Sequence, residues 1–110
     1  MVTVLAGALF LSGCAAPAAS GRWGSEQRDE PYVDLRVGGQ LVGYDGCNSF
    51  SGTWEDEGDV AVFSEVSTTL VGCLGGPPQW LGSARTAKVD GDRLVFFDDV
   101  GVELGALSRP

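Results

Sequence analysis

The sequence predicts a mainly β fold of α+β type: a curled antiparallel sheet or small, partly closed barrel of about six to eight short strands with one short helix. Three observations predict it. Apolar and polar residues alternate with period two along most of the chain beyond residue 22. Glycine and aspartate recur between the alternating runs as turn formers. A chain of 110 residues is one domain.

The first segment is set apart from that fold. Val2 to Leu11 is an almost unbroken apolar run, too short to span a bilayer and suited to the core of a signal peptide. It ends in Leu11-Ser12-Gly13-Cys14, which resembles the lipobox of bacterial lipoproteins. The resemblance implies that the Cys14 thiol is alkylated by diacylglycerol and becomes the first residue of the mature chain. Met1-Val2-Thr3 lacks the basic residues of a signal peptide, which points to a start further upstream. Residues 1–14 are therefore expected to be a signal peptide. Residues 15–22, small and broken by Pro17, are expected to form a flexible tether. Residues 23–110 are the β domain.

Within the domain, Val33–Tyr44 reads as a hairpin with Gly38-Gly39 as a two-residue turn. That turn pairs Leu35 with Val42 and Val33 with Tyr44. It places Val33, Leu35, Val37, Val42 and Tyr44 on the core face, with Asp34 and Arg36 on the other. The next strand puts Phe50 and Trp54 on one side, with Gly52 between them. Residues 55–59, EDEGD, read as a charged turn, and VAVF as the returning strand. The β-branched EVSTTLV reads as a further strand running into Cys73. Pro77 and Pro78 suit a helix start, so Gln79 to Ala84 is the expected helix. A second hairpin follows, with Asp90-Gly91 as its turn, Ala87 opposite Leu94 and Val89 opposite Asp92. Ala87, Val89, Leu94 and Phe96 share its core face. A turn near Asp98–Gly101 leads to the last strand.

Composition narrows the function. Seven basic residues against fifteen acidic ones give a net charge of −8, which repels nucleic acid and anionic lipid. The chain has no histidine, so His-paired nucleophiles and His-ligated metals are excluded. Chemistry would have to run on carboxylates, a thiol or Lys88. The acidic turns at 55–59 and Asp98-Asp99 lack the alternating oxygen spacing of a calcium loop and read as hairpin ends. No metal or cofactor is expected.

The paired blocks of the mature chain resemble the META domain family, also called HslJ-like. Gly43, Gly46, Cys47, Asn48, Gly52 and Trp54 fit its first motif, and Thr68, Thr69 and Cys73 its second. Val89, Gly91, Asp92 and Leu94 fit the third. The chain has Val71-Gly72-Cys73-Leu74 where the family usually has Met-Ala-Cys-Pro. The resemblance implies a β-rich envelope or surface-linked protein, associated with stress, with no catalytic residues to carry across.

With Cys14 assigned to the lipid, Cys47 and Cys73 remain, an even number in an exported chain. A structural disulfide is the preferred reading. A redox pair lacks the C-x-x-C arrangement, and two buried thiols remain the other alternative. Trp23, Trp54 and Trp80 are read as core rather than as a binding patch. The favoured function is a lipid-anchored, monomeric, non-catalytic envelope protein that binds an envelope protein or small ligand and serves envelope integrity. The alternatives are a small-ligand-binding barrel and a hydrolase using two carboxyl groups about 5–9 Å apart.

Overall fold

A computed structural model describes residues 16–72 and 80–110. Eight strands run in chain order, each antiparallel to the next. They are β1 (Gly21–Gly24), β2 (Tyr32–Leu35), β3 (Gln40–Tyr44), β4 (Ser49–Glu57), β5 (Val60–Thr68), β6 (Thr86–Asp90), β7 (Arg93–Phe97) and β8 (Glu103–Ser108). The sheet curls until β1 and β8 come together, giving a nearly closed barrel. Period-two burial along each strand fills its interior: Trp23, Val33, Leu35, Leu41, Leu94 and Phe96 are all essentially inaccessible.

The seam between β1 and β8 is joined by a side chain. Arg109 donates to the carbonyls of Ser20 (3.0 Å) and Ala18 (2.9 Å). Its guanidinium lies 3.6 Å over the ring of Trp23, which is 1% exposed. A cation held on an indole face and bonded to these two carbonyls and, at 3.4 Å, to that of Arg22 covers the edge that backbone pairing leaves open. β1 starts at Gly21 and Ala19 is buried, so the ordered fold overlaps the segment expected to be a tether.

The first hairpin differs from its expected register by one residue. The loop is Val37-Gly38-Gly39: the Gly39 N–H donates to the Arg36 carbonyl, and the Arg36 N–H to that of Gln40. Leu35 therefore faces Leu41, and Val33 faces Gly43. Because side chains alternate, an odd slip turns the whole returning strand over. Leu41 and Gly43 point inward, while Val42 and Tyr44 are half-buried on the outer surface. Val37, expected in the core, is 74% exposed at the loop tip. Asp34 and Arg36 stay outside and form an ion pair.

The second hairpin differs by two residues. Its turn is Gly91-Asp92, with Asp90 opposite Arg93, Val89 opposite Leu94 and Ala87 opposite Phe96. An even slip preserves the faces, so Ala87, Leu94 and Phe96 are buried as expected. The positive φ falls on Gly91, the first central residue, as a type II′ turn requires. The charged turn also shrinks to two residues. β4 continues through Glu57, and Gly58-Asp59 makes the turn.

VAVF and EVSTTLV are one strand rather than two. β5 runs from Val60 to Thr68 and carries a bulge, because Ser51 opposes Ser67 while Thr53 opposes Ser64. The additional residue on β5 lies opposite Gly52, and Glu65 takes a positive φ of 54°. A Cβ on Gly52 would come within 2.7 Å of the Ser64 carbonyl, so the bulge needs a glycine there. The expected helix is replaced, among the described residues, by a single 3-10 turn over Leu81–Ser83. Residues 77–79, where that helix was to start, lie outside the described residues.

Candidate functional site

The meander leaves two unlike ends. One carries the tight turns at residues 37–39, 58–59 and 91–92, together with the entry to β1 and the exit from β8. The other carries the longer connections: 25–31, 45–48, the path from β5 to β6, and 98–102. The family-motif cysteine and asparagine belong to the second end.

The stretch after β3 folds around one carboxylate. Asp45 is 5% exposed, and its Oδ1 accepts the N–H groups of Cys47 (2.8 Å) and Asn48 (2.6 Å). The Asp45 N–H in turn donates to the Asn48 carbonyl at 3.0 Å, closing the turn. An aspartate one residue ahead of a glycine with φ of 100° is built for such a turn. Gly43, at the end of β3, has a separate task. The Phe50 ring lies over it, and a Cβ there would overlap that ring.

Asn48 reaches across to the segment that follows β5. It is 7% exposed, and its Oδ1 accepts from the Val71 N–H (2.6 Å) and the Thr69 hydroxyl (2.8 Å). Its Nδ2 donates to the Val71 carbonyl at 3.3 Å. One side-chain amide thus pairs with both backbone groups of Val71, as a strand neighbour would. The Thr69 hydroxyl also accepts the Ser49 N–H at 3.1 Å, and the Thr69 N–H donates to the Ser49 carbonyl. Cys47 Sγ lies 3.2 Å from the Val71 carbonyl oxygen. Cys14 and Cys73 lie outside the described residues.

The motif residues therefore divide. Gly46, Cys47, Asn48 and Thr69 converge at the loop end, with Thr68 beside them against the 3-10 turn. Trp54 belongs elsewhere: its indole N–H donates to the Arg36 carbonyl at 2.8 Å and holds the first hairpin's loop. Gly91 and Asp92 form a turn at the opposite end, where the Asp92 carbonyl accepts the Arg109 N–H. Trp23 is core, and Trp80 packs on Phe96 at 5.6 Å, seated over Gly105. The sequence marks Asn48 only as a motif residue, and its side chain is what acts. Sequence reasoning also passed over Arg109, which stands after the last alternating residue and so outside any strand pattern.

Chemistry has little to build on at this end. Asp45 Oδ1 and the side chains of Asn48 and Thr69 are engaged by the backbone and by one another. Toward the opposite, tight-turn end, Glu55, Glu57 and Glu65 line an open groove of about 510 Å³ beside Gly38, Gly39 and Thr53, and all three stand exposed to water. No group of three potential metal ligands occurs among the described residues.

A family model described as the META domain matches residues 16–108. No curated protein and no solved structure matches the chain. The match spans most of the sequence, and the chain belongs to the META domain family.

Proposed function

We propose that this META-domain protein is a lipid-anchored, non-catalytic component of the cell envelope that works by binding through its outer surface. The observation that carries the reading is the use of Asn48. The most distinctive polar residue of the motif is consumed in holding two loops together. Motif residues spent on architecture leave function to the exterior. The interior is filled by Trp23, Phe96, Leu35 and Leu41, so a ligand is sought outside rather than in the barrel mouth.

The anchor is Cys14, read from Leu11-Ser12-Gly13-Cys14. β1 enters at the tight-turn end, so a tether ahead of it directs the loop end away from the membrane. Cys47 and Cys73 form a structural disulfide. Support comes from Cys47 Sγ at 3.2 Å from Val71, two residues before Cys73, and from the Asn48 clamp that fixes Val71. Mass spectrometry of the mature protein tests the anchor. A diacylglyceryl-modified Cys14 at the N-terminus is expected, and Cys14→Ser should release the protein from membranes. An unmodified N-terminus in the native host would refute it.

A further inference from the structure

The outer surface near the loop end holds a groove of about 360 Å³ lined by Arg22, Arg28, Tyr32, Tyr44 and Ser49 with the polar loop between them. Tyr32 and Tyr44 are directly opposed across β2 and β3 and point outward, both half-buried. Opposed residues stand about 5 Å apart at Cβ, so the two tyrosines are neighbours on the outer face. Arg22, held by the Ser25 carbonyl, lies 3.7 Å over Tyr32 and covers one face of that ring, which leaves Tyr44 as the uncapped tyrosine of the pair. The loop above, 26–30, brings Glu26, Gln27, Arg28, Asp29 and Glu30 over the groove. Among the described residues Arg28 makes no ion pair although acids stand beside it, and the Gln27 side-chain amide makes no hydrogen bond. Donors and acceptors are therefore available above an apolar floor.

The groove continues past Ser49 into a second concavity of about 310 Å³ lined by Ser51, Ser67, Thr68 and Thr69. Ser51 and Ser67 are paired across β4 and β5. This half is uncharged and carries hydroxyl groups. In the first half, Arg22 and Arg28 nearly balance Glu26, Asp29 and Glu30. A ligand for both halves is elongated, uncharged and rich in hydroxyls, with apolar faces that stack on tyrosine. We propose that this outer face of β2–β5 binds an uncharged oligosaccharide chain, stacked on Tyr44 beside the Arg22-capped Tyr32 and continuing over the Ser51–Ser67 pair.

The proposal gives the binding reading above a ligand class and rests on it for where glycan is met. Titration in solution does not depend on the anchor, so the two readings fail separately. Isothermal titration of the purified chain with cellohexaose and chitohexaose should show saturable binding of at least one. Tyr44→Ala should weaken it about tenfold, the loss of one stacking contact. Tyr44→Phe, which keeps the ring, should retain binding. Arg28→Ala should weaken it, and Arg93→Ala, on a strand outside the groove, should not. The Tyr44 and Arg28 side chains face outward, and an unchanged melting temperature checks that the variants fold. Absence of saturable binding by both hexasaccharides would overturn the proposal. So would binding indifferent to Tyr44→Ala and Arg28→Ala, or competition by choline, which would mark a cation site.

Discussion

The two ends of the barrel are held together by different means. At the tight-turn end the chain reverses in two or three residues at Gly38, Gly58 and Gly91, each with a positive φ. The requirement there is conformational: a backbone that glycine adopts without strain. At the loop end the chain wanders, and side chains hold it. Asp45 gathers two backbone N–H groups, Asn48 pairs with Val71, and Asp98 Oδ1 accepts from Val100 and Val102. One end turns chiefly on backbone that glycine adopts, with the Trp54 indole steadying the first loop, the other on a few polar side chains acting across sequence. The loop end can therefore vary in length and composition provided those few residues stay, which suits a surface that carries recognition.

Mutations should separate the two. Replacing Cys47 and Cys73 together by serine should cost about 3 kcal/mol, the chain-entropy value for a loop of about 26 residues. Chemical denaturation measures it, and an unchanged midpoint would show that no bridge operates at the loop end. Asn48→Ala should cost about 2–3 kcal/mol, since it strands a buried cluster of donors and acceptors. Added to the cysteine pair, its effect should fall short of the sum, because neighbours share one network. Gly38→Ala and Gly91→Ala should each cost about 1–2 kcal/mol, all of it backbone strain. A Cβ at either site meets no atom within 4 Å. Their double variant should be additive, and strong coupling would erase the distinction between the ends. Asp98→Ala should cost about 1 kcal/mol, read as a lower melting temperature by about 4–8 °C.

Much of this architecture is legible in the residues. Alternation and turn formers identify a meander, and Leu35, Phe50, Trp54, Leu94 and Phe96 reach the core as the pattern demands. The turns mark the limit. Gly38-Gly39 and Asp90-Gly91 both suggest two-residue loops, yet Val37 joins the first, and the second moves on to Gly91-Asp92. Local turn preferences differ by little, and the choice is made by what the flanking strands can bury. Leu41 is bulkier than Val42 and takes the interior, which Gly43 leaves open for the Phe50 ring. The bulge at Glu65 is no more visible, since its cause is Gly52 on the neighbouring strand. At the candidate site the residue types were apparent. Their roles were not, because Asn48 and Val71 are 23 positions apart.

The Arg109 contact across the seam has a kinetic side. Every strand pair in the meander joins chain neighbours, so loop-closure entropy is small for each. The bond from Arg109 to Ser20 spans 89 positions, and that to Ala18 spans 91. Contacts of such separation form after the local ones have brought their ends together. Arg109→Ala should therefore speed unfolding and leave refolding near its original rate, which stopped-flow measurement of both limbs checks. On that expectation Arg109 sets how long the barrel stays shut once formed, and the hairpins set the speed of its formation.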